Sequence, residues 1–299
     1  MVLRKVGKIL LLCIAGLLAV ILLLMLAAKL ALDRAPQYQA EIKDWVHDRI
    51  GYRIAFAHVS PAFRWYGPEL YFEQLELRSK DGERVLAHAA GGRIGADLSQ
   101  LFRGGRLFAA RIELDAPSIV IERIAPDKFS LASEIELAGG GPSALPTMRL
   151  DDLPAGTLAI RQGLITIRNW NPALPQLELR NVDLNLHRSE GAATLGVDVQ
   201  LPAVLGGTVR INGAARGPGR LDTVNWTAFA RARDLKVAGW RQLVPEFLSR
   251  LAAGTGGFEM AARGQGPGLQ RADLDFGAAN VVTQLTDEPG VTFDQVTGA

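Results

Sequence analysis

The sequence predicts a mainly β protein: an N-terminal transmembrane helix followed by repeating antiparallel β units that form a curled, elongated sheet or groove with a few short helices. Three observations carry this. Residues Ile9 to Ala28 run without a charge between Lys8 and Lys29. From Ile54 onward the apolar residues recur with a period of two, the period of a strand with one buried face. The alternating runs are short and are bounded by Gly, Pro, Asn or Asp, as in antiparallel meanders.

The uncharged run, with Ile9, Leu17 and Leu26 near its start, middle and end, is the anchor. About 20 apolar residues are what a helix needs to cross a ~30 Å hydrocarbon core. Arg4, Lys5 and Lys8 precede it, so residues 1–8 form a cytoplasmic stub and the rest lies across the membrane. A cleaved signal peptide is the rival reading, but its apolar core is usually only ~7–15 residues. The segment Lys29-Leu30-Ala31-Leu32-Asp33-Arg34 is also a weak cleavage site.

Composition excludes several classes. The net charge is only +2, with Lys and Arg scattered among Asp and Glu, so no basic surface for nucleic acid is expected. The one cysteine, Cys13, sits inside the anchor, and no disulfide can form within the chain. The exported fold must be held by sheet and core alone.

Tyr38, Ile42, Trp45, Val46 and Ile50 recur at helical spacing, and Gly51 supplies a stop. This predicts a helix covering one end of the sheet, with a helix on the membrane surface as the alternative. Leu70 and Phe72 then alternate, and Leu75 and Leu77 resume after two intervening residues, which predicts a bulge that re-phases the strand. Leu177, Leu179, Val182 and Leu184 repeat the pattern, with Asn181 where the first copy has Gln74. Asp81-Gly82 is the best hairpin turn, and Ala116-Pro117 predicts a strand that is bent or at an edge. Asp97-Leu98-Ser99-Gln100-Leu101-Phe102 reads as a helical turn or two.

Ala214-Ala215-Arg216-Gly217-Pro218-Gly219 is echoed from Ala261 to Gly268, about 47 positions on, as in a stacked array. Between the copies, Trp240, Leu243, Val244, Phe247, Leu248 and Leu251 form the apolar stripe of a short helical insertion. The Gly- and Pro-rich stretch 139–147 reads as a linker between a first β unit, 35–138, and further repeats, 148–299. Alternation is still running at Ala299, which predicts that the chain is the front piece of a longer protein.

No catalytic constellation emerges. His47, His58, His88 and His187 are scattered, without metal-ligand spacing, and no serine lies in a nucleophile elbow. The cluster Gly264-Gln265-Gly266-Pro267-Gly268 lacks the residues of a phosphate loop and reads as a hairpin turn. Neither catalysis, nor a cofactor, nor a metal is expected.

What remains is a long β surface with one apolar face and few helices to cover it. A closed sandwich or barrel would hide that face. An open trough lined by Leu, Ile, Val and Phe would accept acyl chains. Its candidate lining is Leu70, Phe72, Leu75, Leu77, Ile119, Ile121, Ile165, Ile167, Leu177, Leu179, Val197, Val199, Val209 and Ile211.

The anchor, the helix ending at Gly51, the strand pair Pro68 to Leu77 with its Asp81-Gly82 turn, the turn from Asp97 to Gly104 and the strand Ala116-Pro117-Ser118-Ile119-Val120-Ile121 together resemble the AsmA-like proteins of Gram-negative bacteria, and among them the YhdP branch. The resemblance extends over Gly163 to Ile167, Leu177 to Leu186 and Leu243-Val244-Pro245-Glu246-Phe247-Leu248. It implies a single-pass inner-membrane protein whose bulk is periplasmic and whose complete form is several times longer. It further implies a hydrophobic groove carrying phospholipids between the two membranes, with phospholipid acyl chains, the inner membrane and an outer-membrane or periplasmic protein as partners. An assembly factor for outer-membrane proteins, acting by strand pairing, is the alternative reading, and a periplasmic enzyme ranks last.

Overall fold

A computed structural model describes residues 39–40, 43–44, 47, 52–64, 67–96, 109–125, 128–131, 135–137, 156–171, 174–217, 223–243, 248–283 and 291–298. The expected anchor 9–28, the turn 97–104 and the linker 139–147 lie outside these residues. Among the described residues no helix is long and apolar enough to cross a membrane.

Among the described residues sixteen strands form one sheet. In chain order they are β1 (Arg53–Ala55), β2 (His58–Arg64), β3 (Gly67–Arg78), β4 (Val85–Ala96), β5 (Ala109–Asp115), β6 (Ser118–Ala125), β7 (Lys128–Leu131) and β8 (Ile135–Leu137), followed by β9 (Gly156–Asn171), β10 (Leu174–Ser189), β11 (Ala192–Gln200) and β12 (Thr208–Arg216). Then come β13 (Asn225–Lys236), the helix α1 (Val237–Leu243), β14 (Leu251–Gln265), β15 (Gly268–Thr283) and β16 (Thr292–Gly298). From β9 to β16 each strand pairs antiparallel with the next, so the sheet grows one hairpin at a time. The result is the curled, mainly β sheet that the alternation predicts.

One junction departs from the antiparallel expectation. β5 and β6 pair with β9 in parallel, Ile112 beside Leu158 and Ile119 beside Ile165. Parallel neighbours need a long crossover. The stretch through β7 and β8 to β9 provides one. β5 and β6 also act as one strand, since both lie between β4 and β9, so Ala116-Pro117 marks a bend inside the sheet and not its edge.

The bend belongs to a crease crossing several strands. Gln74 has φ 51°, Ala116 46°, Gln162 52° and Asn181 46°. Left-handed backbone at a non-glycine residue is costly and marks a bulge. Along each of these strands the apolar alternation breaks and resumes: Phe72 then Leu75 on β3, Leu114 then Ile119 across β5 and β6, Ile160 then Ile165 on β9, Leu179 then Val182 on β10. Without the extra residue, every side chain beyond the crease would turn to the opposite face. The crease is stitched as well as bent. Ala116 N donates to Arg161 O at 2.8 Å, Gln162 N to Asp183 Oδ1 at 3.1 Å, and Asn181 Nδ2 to Gln200 Oε1 at 2.7 Å. Left-handed residues recur at Asp234 and Asn280, on β13 and β15.

The Asp81-Gly82 turn joins β3 to β4 as expected. Gly82 has φ 84° and donates to Ser79 O at 2.9 Å, while Asp81 accepts from the Ser79 hydroxyl and from Glu83 N. The Ser79 bond, followed by that from Glu83 N, holds the Asp81 carboxyl below its usual range. Gly266 turns β14 into β15, with φ 51°, and Trp226 Nε1 donates to its carbonyl at 2.8 Å. Within the helical insertion α1 covers Val237–Leu243 and Leu248 is again helical, residues 244–247 lying outside the described ones, and Leu251 opens β14.

A cluster of buried apolar side chains lies at the β1–β3 end. Phe56, Val59 and Phe72 are buried together, with Ile54, Leu70 and Leu75 against them, and the Phe56 and Phe72 rings meet edge to face at 5.1 Å. Gln39, Ala40, Lys43, Asp44 and His47 are helical, and Lys43 Nζ stands 4.6 Å from the Phe56 ring centroid. Lys43 thus reaches the end of the sheet, while Tyr38, Ile42, Trp45, Val46, Ile50 and Gly51 lie outside the described residues.

Candidate functional site

Directly paired residues of a ladder point to the same face, so the register assigns faces without ambiguity. On β3 and β4, Leu70 faces Ile94, Leu75 faces Ala89 and Leu77 faces Ala87. Ile94 continues to Ile112, Ile112 to Leu158, Leu158 to Leu186 and Leu186 to Leu195. On the other side of the crease, Ile119 and Ile121 face Ile165 and Ile167, which face Leu179 and Leu177. Val197 then faces Ile211, and Val199 faces Val209. All fourteen candidate lining residues therefore share one face, and they are two ends of a longer row. Beyond β12 the row runs through Ala232, Phe258 and Phe276 and through Ala230, Met260 and Leu274.

Among the described residues this face is covered at Phe72 and Leu177, which are buried; it is half-buried along much of its length and open elsewhere. Ile94 is 43% exposed, Ile211 41%, Leu274 48% and Phe276 46%. A sandwich or barrel would have sealed them. From β3 to β16 the sheet crosses ten strand-to-strand steps, about 48 Å at the usual spacing of ~4.8 Å. Small residues allow close filling near its start: a Cβ on Gly92 would sit 3.1 Å from Leu75 Cδ2 and 3.4 Å from Leu114 Cδ2, so these leucines close over the glycine.

The opposite face carries the charge. Glu113, paired in the ladder with Arg93, is buried and takes Arg111 Nη2 at 2.8 Å, Arg161 Nε at 3.4 Å and Arg93 Nη1 at 4.0 Å. Burial pushes its carboxyl up, but the Arg111, Arg93 and Arg161 guanidinium groups outweigh that and hold it below the ordinary value. Further pairs are Arg78–Glu76 at 2.6 Å, Arg180–Glu178 at 2.8 Å, Arg210–Asp198 at 2.5 Å, Arg231–Glu259 and Arg271–Asp273 at 2.8 Å. The sequence held a signal for this face in opposite charges spaced by two, as in Arg111-Ile112-Glu113 and Arg271-Ala272-Asp273.

Near its C-terminal end the apolar face deepens into a cavity of about 540 Å³. Its floor is Gly256, Gly257, Gly277 and Ala278, its walls include Phe258, Phe276, Phe293 and Val296, and α1 closes one side with Val237 and Trp240. The helix is pinned in place. Lys236 N and Trp240 Nε1 both donate to Leu205 O, at 2.8 and 3.1 Å, and a Cβ on Gly239 would strike Val204 O at 2.1 Å. Among the described residues no three His, Cys, Asp or Glu side chains converge to hold a metal ion.

The resemblance implies repeating β units with a hydrophobic lining, and the structure is a long, curled, mainly β sheet with one apolar face. The YhdP protein family matches residues 1–298. The chain belongs to that family. Membership brings an AsmA-like, envelope-associated, lipid-handling role at the level of the family. No curated protein and no solved structure matches the chain.

Proposed function

We propose that this chain is an inner-membrane-anchored periplasmic protein whose open apolar face carries phospholipid tails between the inner and outer membranes. The observation that supports it is the continuous row of Leu, Ile, Val and Phe from β3 to β15, buried at Phe72, half-buried along much of its length and exposed at Ile94, Leu195, Ile211, Leu274 and Phe276, set back to back with a charged face. Moving a lipid through water exposes its tails at ~0.8 kcal/mol per methylene, on the order of 12 kcal/mol for one 16-carbon chain. A lining that replaces water along the route removes most of that barrier. Tails slide along Leu179, Ile165 and Ile211 while the headgroup stays hydrated, and no bond is made or broken. Weak, repeated contacts serve this well, because each tail must leave every contact it makes.

Adjacent residues on opposite faces give the test. A photo-crosslinking phenylalanine analogue is placed at Ile211 or at Arg210 in the full chain, irradiated in the envelope, and the adducts are weighed. Phospholipid on the Ile211 variant and not on the Arg210 variant is the expected result. Adducts to unfolded barrel precursors, without lipid, would replace this reading with that of an assembly factor.

A further inference from the structure

The apolar face is not uniform. Along β11 and β12 it is a shallow surface of Val197, Val199, Val209 and Ile211 with no helix standing over it among the described residues. Along β13–β16 the same face is walled by α1 and drops to a glycine and alanine floor between Phe258, Phe276 and Phe293. The register makes the depth: Leu235 faces Gly256, Gly256 faces Ala278 and Ala278 faces Val296, so two small residues sit in the middle of a row with bulky ends.

We infer that this cavity is a holding station for a single phospholipid acyl chain, a discrete stop on an otherwise shallow route. The inference rests on the reading of the apolar face as a lipid path. The chemistry of the wall selects the occupant. Its lining side chains are aliphatic or aromatic apart from Thr283. A polypeptide segment laid there would have to bury N–H and C=O groups without partners, at a cost that a methylene chain does not meet. The volume lies in the range of small-ligand sites, so it admits one tail and not a folded partner. A second tail and the headgroup remain at the open mouth, in water. Trp240 gives the station a fixed wall, because its Nε1 bond to Leu205 O joins α1 to a residue that is itself buried.

The test uses the full chain reconstituted in vesicles of phosphatidylethanolamine and phosphatidylglycerol, with the photo-crosslinking analogue at Phe293 or at Ile211. Phospholipid capture at Phe293 is expected to exceed that at Ile211 about tenfold, the gain from withdrawing roughly two more methylenes from water. Ala278→Phe, which fills the floor, is expected to lower capture at Phe293 to the Ile211 level and leave Ile211 unchanged. Val296→Phe gives the same reading should Ala278→Phe fail to fold, as judged by its thermal midpoint. Equal capture at both positions, an indifferent Ala278→Phe, or an adduct of Phe293 to the protein's own chain would overturn the station and leave the path intact. Absence of lipid from both positions would overturn the path as well.

Discussion

The β1–β3 end and the β11–β15 region are written in the same alternating code and meet different fates. In the first, Val59 is fully buried and Phe72 4% exposed, beneath Phe56 and beside the leading helix. In the second, Ile211 and Phe276 occupy the same face of the same sheet and remain more than 40% exposed. Alternation therefore specifies which face is apolar, and a covering element decides whether that face becomes core or surface. An apolar patch of this extent on a folded protein calls for a partner.

That contrast can be broken most easily at its buried end. Phe72→Ala is expected to cost about 3–5 kcal/mol by chemical denaturation, as for other large core truncations. Phe276→Ala should cost no more than about 1 kcal/mol, because its ring gives up little burial. Similar losses at the two positions would mean that the open face is covered in solution.

The charged side sharpens the comparison. Glu113→Gln removes the acceptor shared by three arginines and is expected to cost about 1–3 kcal/mol. Its folded-state pKa is depressed. The stabilisation is therefore complete above the unfolded carboxylate value, about 4.3, and is lost as pH falls through the lower folded value. The Gln variant should show a flatter acid limb in its stability profile.

At the crease, Asn181→Val is expected to cost roughly 1–2 kcal/mol, since a β-branched residue resists left-handed backbone, whereas Asn181→Gly should be neutral or better. A tolerated Val would show that the bulge is not fixed by backbone geometry. The smallest effect is expected for the exposed Arg210–Asp198 pair, roughly 0–1 kcal/mol in a double-mutant cycle and screened away by molar salt.

Much of this was legible in the residues themselves. The gap between Leu179 and Val182 announced the bulge, and Asn181 is a residue type that tolerates it. Asp81-Gly82 announced its turn. Neither the parallel seat of β9 beside β5 and β6 nor the burial of Glu113 was readable. Both depend on which strands become neighbours across a long crossover, and local periodicity carries no record of that. That the fourteen candidate residues share one face was readable because a period of two needs only the strand itself. The deep part of the face was missed, because Gly256 and Ala278 have no apolar signature, and depth arises only when small residues on adjacent strands fall in register.

The crease has a geometric corollary. Strands join the ladder one beside the next, so the gutter can be extended at about 4.8 Å per added strand without redesigning its cross-section. Reach and calibre are thereby set independently, the first by how many strands are appended and the second by where a residue turns left-handed, as on β3, β9, β10, β13 and β15.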